Sequence, residues 1–381
     1  MPTADELLGK GVVTDLHEIL DHAYPAGEFP QLAVASQNLK GLALRERSDH
    51  IADAILADTP QQWATFRNII LKARDAEPGL DGWMVWPITV AVARRAIEAD
   101  NSQAFEEGLD LLASLTSRLS AEFALRLMLR ADVTRTLKKA QTWAQSADEH
   151  VRRLASEGTR PYLPWALRIP QLQENHGITL PILHALYQDE SEDVRRSVAN
   201  HLNDLSRDIP EAVVETVQEW SQSSTPETEK LVKHALRTLI KKGHPGALAV
   251  LGFSSQAVEI SRLELHTPNI SFPGELEFSA ELHNKGADTA QVAIDYVVYH
   301  LKANGTRTPK TFKLTTLTLQ TGEKKQMRRR HAFKPISTRR YYDGTHTVAL
   351  QVNGQQSTEL PFELSGASPR AETKSDPKAE I

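Results

Sequence analysis

Two periods of hydrophobic repetition divide the chain. Between about Ala4 and Val250 apolar residues recur three or four apart, as in Leu109, Leu112, Leu115, Leu119, Phe123 and Leu127, and again in Val194, Val198, Leu202 and Leu205. That spacing lines one face of an α-helix, so this half is expected to be all-α. Helix-end chemistry agrees with the period. Asp58-Thr59-Pro60 ahead of "QQWATFRNIILKA" reads as a helix start with proline in the first turn. "STPETEKLVKHALRTLIKKGHPG" carries a capping residue, an acidic first turn, a basic last turn and a terminating glycine. Beyond about Val258 the period becomes two. "SRLELHTPNISFPGELEFSAELHN", "AQVAIDYVVYHLKANG", "TFKLTTLTLQTGEKKQM" and "HTVALQVNGQQSTELPFEL" alternate polar with β-branched or aromatic residues between Gly, Pro and Asn turns. About seven short strands of this kind predict an antiparallel sandwich of immunoglobulin type. The expected organisation is an all-α region over 1–253, an all-β sandwich over 258–365, and a disordered tail over 366–381, where "GASPRAETKSDPKAEI" is small and polar.

The helical half contains an internal echo. "DEHVRRLASEG" and "SEDVRRSVANHL" superpose with Val151 on Val194, a shift of 43 residues, and "PETEKLVKHALRTL" follows with Leu202 on Leu239, a shift of 37. Repeats near this length built from paired helices predict a HEAT-like or armadillo-like solenoid, which presents one long curved surface.

Composition narrows the chemistry. A length of 381 residues suits two domains, and the lack of any cysteine excludes disulfides, thiolate metal sites and cysteine nucleophiles. The amino terminus shows no basic segment followed by an apolar run, and no stretch is long and apolar enough for a membrane span, so a cytoplasmic, membrane-free protein is expected. The net charge of -5 conceals an uneven distribution: Lys302 to Arg340 holds twelve Lys or Arg against Glu323 alone, a net of +11. Such a concentration predicts an anion-binding surface, with nucleic acid ahead of an acidic protein or an anionic lipid. Within it "RRRHAF" places Arg328, Arg329 and Arg330 beside His331, and "STRRYYDG" places Arg339 and Arg340 beside Tyr341 and Tyr342, one of which is expected to be core.

No phosphate-binding glycine loop, dinucleotide fingerprint, HExxH helix or nucleophile elbow occurs, and the 14 histidines are scattered without ligand spacing. A metal enzyme is therefore not expected. The carboxylates are more informative. Glu122 in "SRLSAEFALRLMLR" and Asp204 in "ANHLNDLSRD" lie within apolar stretches, and Glu157 sits beside a Gly and near an Arg at a helix end. Taken alone, each reads first as a surface or capping acid.

"HVRRLASEGTRPYLPW", "DVRRSVANHLNDLSRDIP" and "LVKHALRTLIKKGHPGAL" together resemble the AlkC branch of the AlkC/AlkD superfamily of bacterial alkylation-repair DNA glycosylases, with Arg-Pro-x-Leu-Pro-Trp as the most specific element. The likeness runs to about residue 253, and "RRYYDGTHTVALQVNG" is similar to the immunoglobulin-like domain appended in one AlkC subgroup. The resemblance implies a HEAT-like-repeat enzyme that hydrolyses the N-glycosidic bond of cationic N-alkylated bases, 3-methyladenine and also 3-methylcytosine, without flipping the lesion into a pocket. Carried over by position, the catalytic residues are Glu122, Glu157, Trp165 and Asp204. A cationic base needs no proton to leave. The carboxylates would stabilise the oxocarbenium-like sugar, one of them would orient water, and Trp165 would lie against the sugar and the cation. Which carboxylate handles the water stays open. Arg152, Arg153, Arg160, Arg195 and Arg196 are expected to contact phosphates, with the basic β domain closing the other side. The implied enzyme works as a monomer without cofactor or metal, on double-stranded DNA containing alkylated bases, at the bacterial nucleoid. Two other readings remain: a non-catalytic scaffold for distorted duplex, and a protein-interaction adaptor.

Overall fold

The helix-period sequence forms helices as far as Val250, and the strand-period sequence forms strands from Val258 onward. The structure is a computed structural model, and residues 3–223, 225–253, 258–336 and 339–367 are described. The tail expected from residue 366 lies, from 368 on, outside the described residues. The first nine helices are α1 Ala4–Leu7, α2 Lys10–Ala23, α3 Pro30–Gln37, α4 Leu44–Asp58, α5 Trp63–Asp75, α6 Val85–Glu98, α7 Ser102–Leu115, α8 Glu122–Ala131 and α9 Val133–Trp143. They continue as α10 Glu149–Glu157, α11 Pro170–Glu174, α12 Leu180–Leu186, α13 Glu192–Leu205, α14 Pro210–Ser221, α15 Pro226–Ala235, α16 Arg237–Lys242 and α17 Pro245–Val250. No helix among the described residues is long and apolar enough to cross a membrane.

Local chemistry sets the helix ends. Asn101, Asp132 and Asp148 cap α7, α9 and α10 by accepting from backbone N–H groups. Asp58 behaves differently from its expected role. Its carboxylate accepts from Gln31 N (3.1 Å) and Leu32 N (2.8 Å), so it caps the distant α3, while α5 starts only at Trp63 without a side-chain cap. The internal echo has a structural counterpart. α10 packs on α13 and α13 on α15, and Val151 and Val194 are both buried. Arg152 Nη1 donates to the carbonyls of Ser146 and Ala147, and Arg195 Nη1 donates to those of Asp189 and Glu190. Each arginine ties down the loop before its own helix, at positions related by the same shift of 43.

The chain divides into two compact units after Ala235, which places α16 and α17 with the strands. The helix expected across this point breaks at Leu236 and ends at Gly243, whose φ of 74° is the left-handed cap. Gln351 Nε2 donates to the Lys241 carbonyl at 3.2 Å, and Gly243 meets Gly354 so closely that a Cβ on either would lie 2.4 Å from the other's Cα. Both glycines have positive φ, so larger residues would be strained as well as obstructed.

The strands are β1 Val258–Leu265, β2 Asn269–Ser271, β3 Gly274–Asn284, β4 Ala290–Leu301, β5 Arg307–Leu319, β6 Lys324–Phe333, β7 Gly344–Val352, β8 Gln355–Gln356 and β9 Leu360–Ser365. One sheet runs β1-β3-β6 and the other β2-β9-β7-β4-β5, with β8 paired to β7. Alternation along β3, where Leu276, Phe278, Ala280 and Leu282 are buried, directs one face of that sheet into a core with Tyr296, Phe333 and Phe362. Three histidines join this core. His300 and His331 are pushed down to about 2 and about 4, first by burial and then by neighbouring cations that include Arg339 and Lys310, and burial lowers His346 as well. His331 Nδ1 bonds the Tyr296 hydroxyl at 3.0 Å.

These imidazoles are neutral in the folded protein, whereas an unfolded chain protonates histidine near pH 6.5. Their contribution to stability is complete above about pH 6.5 and is lost as pH falls toward the folded values. Urea unfolding followed by the circular dichroism of the strands should show stability falling from pH 7 to pH 5. His331→Gln should reduce that slope by about one proton, on the order of 1 kcal/mol per pH unit; an unchanged slope would contradict the assignment.

Candidate active site and nucleic-acid surface

The last turn of α10 delivers Ser156 and Glu157, and the facing stripe of α13 delivers Ser197, His201 and Asp204 at i, i+4 and i+7. All five are buried. Between α10 and α11 lie twelve irregular residues, 158–169, that carry Arg160 inward and Trp165 outward. Gly158 has ordinary helical dihedrals, so its role is not a left-handed turn. A Cβ there would come within 2.5 Å of Leu125 Cδ2, and the missing side chain lets the loop approach α8. The next helix starts at Pro170, with the proline in its first turn.

Arg126 of α8 organises this loop. Its side chain is fully buried and donates to the carbonyls of Gly158 (3.0 Å), Arg160 (2.8 Å) and Leu167 (3.0 Å). Burial, with Arg168 nearby, pushes the guanidinium down to about 10, which leaves it charged at neutral pH. One buried cation thus satisfies three loop carbonyls that would otherwise be costly to remove from water.

Arg160 then joins the two acids. Its Nη1 donates to Glu157 Oε1 at 2.6 Å and its Nε to Asp204 Oδ2 at 2.9 Å. Burial alone would lower the Arg160 guanidinium, but hydrogen bonding to Asp204 and the charges of both carboxylates raise it above the usual arginine value. Ser197 Oγ donates to Glu157 Oε2 at 2.7 Å, so both oxygens of Glu157 are held. His201 bonds the Ser156 carbonyl and the Thr179 hydroxyl, each at 2.9 Å, and burial pushes it down to about 3, so it adds no charge. Two carboxylates on one guanidinium leave the cluster with net negative charge, and among the described residues Asp204 Oδ1 lies outside the Arg160 pairing.

Trp165 contrasts with these buried groups. It is 81% exposed and has a φ of 59°. Left-handed backbone costs a bulky residue about 1–3 kcal/mol, and exposing an indole forgoes its burial, so neither feature serves stability.

The remaining predicted residues separate. Glu122 begins α8 and pairs through Oε2 with Ser120 Oγ (2.8 Å) and Arg153 Nη1 (3.2 Å), outside the Arg160 cluster. Arg152 is buried and grips Asp189 through two bonds of 2.6 and 3.0 Å, which raise it further. Its donors are spent inside the protein, so the expectation of phosphate contact does not fit Arg152, while Arg160 commits Nε and Nη1 to the two acids and Arg195 commits Nη1 to its loop. Arg196 is exposed but lies against Glu192 and Asp193. In the β unit Arg328 and Arg330 share Glu277 of β3 at 2.5 and 3.2 Å, because the register places Ser279 and Glu277 opposite them. Arg329 leaves the opposite side of β6, with its guanidinium 6.0 Å from the Tyr296 ring centre. Arg339 donates to His300 Nε2, while Arg340 stacks on Tyr342 at 5.5 Å. Tyr341 is the core member of the tyrosine pair.

Sequence reasoning missed Arg126 and Ser197. An arginine inside the apolar run "EFALRLMLR" was the available signal for the first; nothing in the sequence distinguished the second. His201 is a core histidine, fully buried.

The chain as a whole is similar to known proteins. Residues 259–366 match the family described as "Uncharacterised protein YhaZ, C-terminal Ig-like domain". The chain is 34% identical over 324 residues to the Uncharacterized protein YhaZ of Bacillus subtilis (strain 168), covering 85% of this chain and 88% of that one. Among solved structures, the Pseudomonas fluorescens alkylpurine DNA glycosylase AlkC, bound to DNA containing an abasic site analog, superposes with a TM-score of 0.83 at 31% identity, covering 96% of this chain and all of that one. With a helical unit followed by an immunoglobulin-like unit, and likeness over nearly its whole length, the chain belongs to the AlkC family of alkylpurine DNA glycosylases.

Proposed function

We propose that this protein is a DNA repair glycosylase that hydrolyses the N-glycosidic bond of cationic alkylated bases, 3-methyladenine and also 3-methylcytosine, without flipping them into a pocket. The observation that carries the reading is the pair of buried carboxylates, Glu157 and Asp204, held on the single Arg160 guanidinium. Isolated, each acid would be expensive to bury as an ion, and the shared guanidinium offsets that cost. A cluster with net negative charge suits a sugar that becomes positive as the bond breaks, and the cluster is already oriented before substrate arrives. The leaving base is a cation before the reaction starts, so no protonated acid is required.

The two acids differ in ways that assign roles. Glu157, with both oxygens held, acts as the fixed electrostatic partner of the oxocarbenium-like sugar. Asp204, with Oδ1 outside the ion pair, orients the attacking water. Trp165 offers an exposed indole face to the cationic nucleotide, an attraction of about 0.5–2 kcal/mol that a neutral base would largely forgo. Glu122 supports the local negative potential at the start of α8. Similarity to a DNA-bound AlkC supports duplex DNA as partner. The half-buried Arg153 and exposed Arg196 of the helical unit, and separately the exposed Arg329 and Arg340 of the β unit with the Glu277-shared Arg328 and Arg330, are the cations offered to phosphates. The helical unit serves as a HEAT-like platform, and the protein acts as a cytoplasmic monomer at the nucleoid, without cofactor or metal.

Incubation with methylated genomic DNA should release free 3-methyladenine, detected by chromatography; intact binding with no released base would leave only a scaffold. Glu157→Gln and Asp204→Asn should each lower the single-turnover release rate by roughly 10²- to 10³-fold, the range seen when one electrostatic partner of a transition state is removed. Affinity for duplex bearing an abasic-site analogue should change by only about threefold or less, since neither acid is a phosphate contact. Parental rates in both variants would refute the assignment. Trp165→Ala should slow release by about tenfold. Because the side chain is exposed, its thermal unfolding midpoint should not fall; a large fall would mean that the residue is structural.

A further inference from the structure

Two arginines absent from the functional assignments above flank one aromatic ring beside the proposed site. The Arg168 guanidinium carbon lies 5.1 Å and that of Arg207 4.6 Å from the centre of the Tyr162 ring. Both arginines are exposed. Their attachment points belong to the segments that build the site. Tyr162 follows Arg160 by two residues, Arg168 follows Trp165 by three, and the Arg207 N–H donates to the Asp204 carbonyl at 3.2 Å. The ring is itself fixed, since the Tyr162 hydroxyl donates to Asp208 Oδ1 at 3.0 Å and His176 Nδ1 lies 3.5 Å from Asp208 Oδ2. Arg168 is steadied by donating Nη1 to the Pro161 carbonyl, and its loop is anchored next door where Arg126 binds the Leu167 carbonyl.

The electrostatics of this arrangement are unbalanced. Among the described residues neither guanidinium forms an ion pair with a carboxylate. Sharing one ring holds the two cations within about 10 Å of each other, roughly one Debye length at 0.1 M salt, so they repel with little screening. The buried Arg126 guanidinium adds further positive charge beside Arg168. A guanidinium lying on an aromatic face is immobilised there while its in-plane N–H groups stay available, the geometry that binds phosphate oxygens.

We propose that Arg168 and Arg207, braced on Tyr162, form a clamp for a backbone phosphate of DNA at the lesion. The inference rests on the glycosylase reading for its ligand and extends it, because it locates the grip within one helical turn of Asp204 and within three residues of Trp165. A phosphate there relieves the repulsion between the two arginines and fixes the sugar of the target nucleotide against the carboxylates.

The test uses the full chain and a duplex carrying a tetrahydrofuran abasic-site analogue, with binding measured by fluorescence anisotropy across a salt series. The Arg168→Gln, Arg207→Gln double variant changes only exposed side chains, and its thermal midpoint should match the parent. The logarithmic salt slope should fall by about two, one for each lost phosphate contact. Methylphosphonate is then substituted singly at the three phosphates on each side of the analogue. At one of these positions the parent should lose affinity while the double variant loses none further, and undamaged duplex should show no such coupling. Equal losses for parent and variant at every position, or an unchanged salt slope, would overturn the clamp. A chain that releases no base from methylated DNA would defeat the glycosylase reading while leaving this coupling measurable. Normal release without coupling would defeat the clamp alone.

Discussion

The organisation of the site depends on one guanidinium buried between two carboxylates. Removing Glu157 or Asp204 from water as isolated ions would cost several kcal/mol each, and repulsion between them would raise the cost. Arg160 offsets this with bonds of 2.6 and 2.9 Å, and Ser197 secures the second oxygen of Glu157. Arg160 is held inward because Arg126 ties the backbone on either side of it, at Gly158, Arg160 and Leu167. Gly158 in turn admits the loop against α8. A chain of close contacts therefore fixes a negative cluster in a helical scaffold, and the same loop projects Trp165 into solvent on left-handed backbone.

The outward and inward parts of that loop are complementary. The acids are satisfied and rigid, as a preorganised electrostatic site requires, whereas Trp165, Arg168 and Arg207 lie at the surface where a duplex can reach them. The proposed function needs no enclosed base pocket, because under it the chemistry acts at the sugar and selectivity comes largely from the charge already present on the leaving base. The immunoglobulin-like unit is built on different terms. Its core takes in three neutral histidines under a cationic rim, which links the stability of that unit to pH.

Much of this was legible in the residues. The change from a period of three to four to a period of two separates helices from strands correctly, and where about seven strands were expected the described residues hold nine, β2 and β8 being the two shortest. The echo at 43 residues reappears as two arginines with one job. What the linear string could not convey was the direction of a side chain and the identity of a distant partner. Arg152 and Arg160 look like free cations beside a helix, yet Asp189, Glu157 and Asp204 take up their donors. The count of +11 between Lys302 and Arg340 leaves out Glu277, which the register of β3 brings between Arg328 and Arg330. Asp58 was read as a local cap and instead serves α3, more than twenty residues earlier. Glu157 and Asp204 were conspicuous only as acids near apolar runs. Their convergence depends on the packing of α10 against α13, which no local pattern encodes.

The central claim is that Arg160 holds Glu157 and Asp204 in the alignment that the proposed reaction needs, and it is most directly tested by single-turnover 3-methyladenine release in Arg160→Met. If the claim holds, the variant binds duplex as the parent does and releases base far more slowly. A variant that folds, binds, and keeps the parental rate would contradict it.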